Sequence, residues 1–144
     1  MTVLITGAAG QLGTELCLRS KAHAHSIVAV NHSELDITNE SSINALVAHV
    51  KPAAIINAAA YTAVDRAETD NAIAFAVNRD GPLYLARACA KANIPLLHVS
   101  TDYVFDGKKP TPYLETDTPN PQNVYGQSKL EGEIAVASTL DKYI

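Results

Sequence analysis

Tyr125 and Lys129 stand four residues apart in Tyr125-Gly-Gln-Ser-Lys129, and Thr101 lies upstream in the run Ser100-Thr101-Asp102. On a helix, residues four apart share a face. A free phenol has a pKa near ~10 and gives up its proton reluctantly. An ammonium group beside it favours the phenolate and makes the phenol a better acid. The pair can therefore pass a proton to or from an oxygen, a step of general acid catalysis worth roughly 10²–10⁴-fold. The lysine can also hydrogen-bond a ribose, which would couple its charge to the seating of a nucleotide. A third group should hold the reacting oxygen. Thr101 is the candidate, because its hydroxyl both donates and accepts; Ser100 is the alternate. Tyr-x-x-x-Lys by itself usually marks a solvated helix face, so its weight depends on what precedes it.

What precedes it is a glycine turn. Gly7, Gly10 and Gly13 form G-x-x-G-x-x-G directly after the apolar run Val3-Leu-Ile-Thr6 and at the start of a helical spacing. Glycines at these places leave room for a tight turn, an approaching pyrophosphate and a close helix–strand contact. The new helix points free N–H groups and its positive dipole end at the phosphates. The turn thus reads as a dinucleotide site. The run after the second strand is Asn31-His32-Ser33, neither acidic nor arginine, so the choice between NAD and NADP stays open. His32 reads as a solvated loop residue. Asp36-Ile37 either reaches the adenine or, through Asp36, caps the next helix. Asn57-Ala-Ala-Ala-Tyr61-Thr62 follows the third strand, and its small residues let a cofactor lie close to the backbone.

These residues need a scaffold that brings strand ends together. Apolar runs at 3–6, 27–30, 54–57 and 95–100 read as buried strands. Helical spacing covers residues 10–21, with Leu12, Leu16 and Cys17 on one face. It continues from Asp36 and Thr38 as cap candidates to Val50, then over 64–93, and again from about Asn123. Continuous apolar strands alternating with helices predict an α/β, doubly wound parallel sheet of Rossmann type. Residues 106–123 carry four prolines and form a long loop of functional length. The chain of 144 residues suits one domain, with 47% hydrophobic residues. A net charge of −4 offers no footprint for nucleic acid. No apolar run is long enough for a membrane span, and the first residues give no signal-peptide pattern. Cys17 and Cys89 read as reduced core residues of a cytoplasmic protein, without partners at metal-ligand spacing.

Taken together, Thr6-Gly-Ala-Ala-Gly-Gln-Leu-Gly13, Asn57-Ala-Ala-Ala-Tyr-Thr62, Ser100-Thr-Asp-Tyr-Val-Phe-Asp-Gly107 and Tyr125-Gly-Gln-Ser-Lys129 resemble the extended short-chain dehydrogenase/reductases. The Ser100–Gly107 stretch and Ala63-Val-Asp-Arg-Ala-Glu68 resemble, within that family, the members that reduce the 4-keto group of a dTDP-linked 6-deoxy sugar. The resemblance implies that Tyr125 is the catalytic acid, Lys129 its partner and Thr101 the donor to the carbonyl oxygen. It implies a cofactor site for NADP(H) or NAD(H) made by Gly7, Gly10, Gln11, Leu12, Gly13, Asp36, Ile37, Ala59, Ala60, Tyr61, Thr62, the Val99 backbone, Tyr125 and Lys129. Thr101 and Asp102 would meet the substrate sugar, and Asn78 would give structural or proton-relay support. Some members dimerise around magnesium. Glu15 matches one such position, with the other ligands beyond residue 144. Family members run to about twice this length, in keeping with two domain-sized units. The resemblance therefore implies that 1–144 is the dinucleotide-binding part and that the lobe for the sugar nucleotide lies outside it. The alternatives are a nucleotide-sugar epimerase or dehydratase of the same superfamily, or a non-catalytic subunit that binds dinucleotide.

Overall fold

The computed structural model describes residues 1–22 and 26–144. Four short apolar segments pair side by side: β1 (Thr2–Thr6), β2 (Ser26–Val30), β3 (Ala54–Asn57) and β4 (Leu96–His98). All pairings are parallel and the order is β2-β1-β3-β4. The register sets Thr6 beside Val30 and Asn57, and Asn57 beside His98, so the carboxyl ends form one edge. The chain winds one way from β1 to β2 and the other way to β3. Open α/β sheets bind ligands at such a reversal, outside the carboxyl ends.

Helices α1 (Gln11–Ala22), α2 (Glu40–Val50), α3 (Val64–Ala67), α4 (Asn71–Phe75), α5 (Gly81–Ala92) and α6 (Val124–Thr139) join and cover the strands. Leu4, Ile43, Ile55, Leu85, Cys89 and Leu96 are wholly enclosed at the centre of the core. Burying a side chain of this size stabilises by about 1.5–3 kcal/mol. Both cysteines are free. Among the described residues no helix is long and apolar enough to cross a membrane.

Several local expectations are corrected. Asn39, not Asp36 or Thr38, caps α2, accepting from the Ser42 N–H at 3.1 Å. Asp36 instead accepts from the Thr38 N–H and hydroxyl at 2.9 and 2.8 Å, closing a turn of its own. Leu12 is 42% exposed; Gly13 takes the buried place on α1 because the helix lies too close to the glycine turn for a side chain. The stretch over 64–93 is α3, α4, a π-helical turn at Ala76–Asp80 and α5. The fourth strand is shorter than residues 95–100. After Val99 the backbone leaves the sheet toward a single 3₁₀ turn at Asp102–Val104. The last residues return to the sheet, with the Leu96 N–H donating to Lys142 O at 3.0 Å and the His98 N–H to Ile144 O at 2.8 Å.

Candidate active site

The three glycines of the first turn do different work. Gly7 has φ +71°, and a Cβ there would lie 2.5 Å from the Ala59 nitrogen. A Cβ on Gly13 would lie 2.2 Å from the Gly7 carbonyl oxygen. Both positions therefore require glycine for the fold itself. At Gly10 the nearest contact of a Cβ would be 3.3 Å, with nothing else within 4 Å. That residue is exposed and faces open space at the start of α1, where the first helical N–H groups have no intrahelical partner.

Beside it lies a crevice of about 400 Å³ at the carboxyl ends of β1, β2 and β3, within the ordinary range for ligand sites. Gly7, Gly10, Asp36, Ile37, Ala59, Ala60 and Tyr61 line it, as do Asn31 and His32 at the end of β2. The Asp36 carboxyl is held below its usual range, chiefly by the Thr38 N–H, so it presents a fixed negative charge. Ile37 is 4% exposed and lies against Gly81, where a Cβ would come within 2.7 Å of its Cδ1. Gln11, Leu12, Gly13 and Thr62 do not line this crevice. Gly13 is buried under the turn, and the other three are exposed.

A second junction forms where β4 ends. Val99 continues the sheet edge, its N–H reaching Asn57 O at 3.3 Å, and its carbonyl accepts from Lys129 Nζ at 2.5 Å. Lys129 is 2% exposed. Burial brings its pKa down to about 8, against an upward pull from Glu133. Tyr125, one turn earlier on α6, is 9% exposed and meets Tyr103 edge to face, with ring centroids 5.5 Å apart. Gly126 allows that approach: a Cβ there would lie 2.3 Å from Tyr103 O. Ser100 donates a hydrogen bond to Glu133. The segment carrying Thr101 is thus laid along the α6 face that carries Tyr125 and Lys129. Thr101 caps the 3₁₀ turn, its hydroxyl oxygen accepting from the Tyr103 N–H at 3.2 Å and donating to Asp102 Oδ1 at 3.3 Å. Asp102 is exposed and opens on a separate hollow with Phe105, Tyr113 and Asn123.

The residues that tie crevice to junction were only partly legible. Asn78, on the π turn, accepts from the Tyr61 N–H at 2.9 Å and donates to Tyr61 O and to Ser128 Oγ, each at 3.0 Å. Ser128 in turn donates to Tyr125 O at 2.7 Å. These bonds make Asn78 a brace between the crevice wall and α6. Asn57 opens the Asn57–Thr62 motif, but its side-chain role is not written there, and His98 carries no motif signal. Asn57 accepts from Thr6 Oγ1 at 2.7 Å and the Ala59 N–H at 3.1 Å, which leaves its amide to donate to His98 Nδ1 at 3.1 Å. His98 then bears its proton on Nε2, a buried atom without a partner among the described residues. Burial, with the Lys129 charge second, lowers its pKa to about 3. A polar residue ending each of three apolar strands, Thr6, Asn57 and His98, is the trace of this network in the sequence. Glu15, the residue matched to a metal position, lies on the exposed face of α1 with its carboxylate 3.6 Å from Arg19. Among the described residues no three His, Cys, Asp or Glu cluster as metal ligands do.

Comparison with known proteins agrees with this architecture. A family model described as RmlD substrate binding domain matches residues 1–144. The chain is 51% identical over 132 residues to a dTDP-4-dehydrorhamnose reductase of Aggregatibacter actinomycetemcomitans, covering 91% of this chain and 45% of that one. A dTDP-4-dehydrorhamnose reductase structure from Clostridium acetobutylicum superposes with a TM-score of 0.96 at 42% identity, over 99% of this chain and 51% of that one. Its counterpart from Bacillus anthracis, solved in complex with NADP, gives 0.95 at 40% identity over the same shares. The chain spans about half the length of the relatives it matches. Matched from its first residue to its last, the chain belongs to the family described as RmlD substrate binding domain.

Proposed function

We propose that residues 1–144 form the dinucleotide-binding domain of a reductase that uses NADPH or NADH to convert the 4-keto group of dTDP-4-dehydrorhamnose to the alcohol of dTDP-rhamnose. The reaction would serve a cytoplasmic route to cell-surface polysaccharide. The observation that carries the reading is the junction at β4. A buried ammonium and a phenol one turn away on α6 meet the strand end that leads into Thr101, and the glycine-bounded crevice opens at the carboxyl ends of the neighbouring strands. Relatives at 40–51% identity are named for this reduction and one was solved with NADP, which favours it over epimerisation.

The residues present fit a dinucleotide. The open side of Gly10 and the free N–H groups of Gln11 and Leu12 suit a diphosphate. Asp36 and Ile37 suit the adenosine, Ala59 to Tyr61 the middle of the molecule, and Lys129 the ribose next to the ring. The bound nicotinamide supplies the hydride. Lys129, mostly charged at neutral pH, binds the ribose hydroxyls and stabilises negative charge on Tyr125. Thr101, with its hydroxyl proton turned from Asp102 Oδ1 to the substrate, holds the carbonyl oxygen, Tyr125 gives it a proton, and Asp102 orients the sugar.

The test is NADPH oxidation by the full gene product carrying these residues, supplied with dTDP-4-keto-6-deoxymannose. We expect turnover, and Tyr125→Phe should cut the chemical rate by at least ~10² while NADPH affinity stays within about twofold. No oxidation, or an undiminished rate in Tyr125→Phe, contradicts the reading.

A further inference from the structure

Lys129 has three N–H donors, yet its ammonium is 2% exposed and no carboxylate of the described residues pairs with it directly. A buried charge needs compensation or it gives up its proton. Three ionisable groups lie around it. Tyr125 is one turn earlier on α6. His98 comes from β4 and is kept neutral in its enclosed place, so it supplies no negative charge. Glu133 is one turn later, so that 125, 129 and 133 run up one helix face. Glu133 is half-buried and is tied down: Ser100 Oγ donates to its Oε1. Ser100 follows Val99, whose carbonyl takes Lys129, and precedes Thr101. Two adjacent residues at the end of β4 thus grip two side chains one turn apart on α6.

We propose that Glu133, clamped by Ser100, is a positioning residue of this site: it is the counter-charge that keeps the buried Lys129 ammonium protonated, and its bond to Ser100 fixes the strand end bearing Thr101 against α6. The proposal rests on the reading of Tyr125 and Lys129 as the proton-delivering pair. The direction of Glu133's influence on Lys129 agrees with it, since the carboxylate opposes the fall that burial imposes. Glu133→Gln keeps the shape and an acceptor for Ser100 but removes the charge. Ser100→Ala keeps the charge and removes the grip.

The measurement is a ¹⁵N-edited NMR titration of the lysine Nζ groups in the protein, with Lys129 assigned by its absence from Lys129→Met. In Glu133→Gln the Lys129 midpoint should fall by about one unit, the effect of a charge one helical turn away at an effective dielectric constant near 20, partly screened. Glu133→Asp should restore most of it. In the full gene product, the alkaline limb of the rate–pH profile should move down by the same amount in Glu133→Gln. Ser100→Ala should lower the rate across the whole pH range, because Thr101 loses its anchor. A Lys129 midpoint in Glu133→Gln that matches wild type, in protein with unchanged circular dichroism, overturns the proposal. A shifted midpoint in a protein whose rate ignores Tyr125→Phe supports the counter-charge and refutes the catalytic reading instead, so the two failures are distinguishable.

Discussion

Mild acid should weaken this fold through a single imidazole. His98 is largely buried between β3, β4 and α6, with Nε2 covered, bound through Nδ1 to Asn57 and close to the Lys129 charge. Its pKa falls from 6.5 to about 3 on folding. Below pH 6.5 the unfolded chain takes up this proton and the folded one refuses it until about pH 3. The unfolded state therefore binds more protons across that window, and stability falls as pH falls through it. The slope approaches 1.4 kcal/mol per pH unit, which puts the loss at roughly 2–3 kcal/mol by pH 4.5 and roughly 5 kcal/mol at the limit. Against a domain stability of about 5–15 kcal/mol, that is a large share. Asp36, Asp106 and Asp117, all held below 3.8 by hydrogen bonds, add acid sensitivity only at lower pH. Urea unfolding followed by circular dichroism at pH 7.5, 6.0, 5.0 and 4.5 isolates the effect when wild type is compared with His98→Gln, whose amide oxygen can still accept from Asn57. Wild type should lose roughly 2–3 kcal/mol more than the variant between pH 7.5 and 4.5. Parallel losses in the two proteins would show that the imidazole is not kept neutral by its surroundings.

Glycines at the first turn should separate fold from binding. Gly13→Ala, with its Cβ 2.2 Å from a backbone oxygen, should cost about 3 kcal/mol or prevent folding, whereas Gly10→Ala should change stability by less than about 1 kcal/mol and weaken NADPH binding, read by calorimetry. Equal stability losses at both sites would contradict that division. Asn78→Ala strands the N–H and carbonyl of Tyr61, and the denaturation midpoint should register a loss of about 2–4 kcal/mol. A loss under 1 kcal/mol would mean that the brace is dispensable.

The strand–helix alternation was legible because each strand is apolar apart from a polar residue at one or both ends, which is what a parallel sheet covered on both faces demands. The glycine turn and the Tyr125–Lys129 pair were legible because their spacing is local. Contacts between distant segments were not. Asn78 and Ser128 are fifty residues apart, and Asn78 stands on a π turn inside an alanine-rich stretch whose spacing shows only helix. Leu12 fits an apolar stripe by spacing, but Gly13 takes the contact, because closeness of the backbone rather than hydrophobicity decides that position. His98 ends an apolar run like any strand-end polar residue. Its neutral state depends on Asn57, whose own donors and acceptors are fixed by Thr6 and Ala59. Glu133 looks like a solvated helix charge until Ser100 is placed beside it.

The most direct measurement is a crystal structure of this chain grown with NADPH. We expect diphosphate oxygens on the N–H groups of Gln11 and Leu12 beside the open side of Gly10, whose own N–H is held by Gly7 O at 3.0 Å, the adenosine against Asp36 and Ile37, and the nicotinamide ribose within hydrogen-bond reach of Lys129 Nζ and Tyr125 Oη. A dinucleotide bound elsewhere, or one whose nicotinamide end turns away from Lys129 and Tyr125, would contradict it.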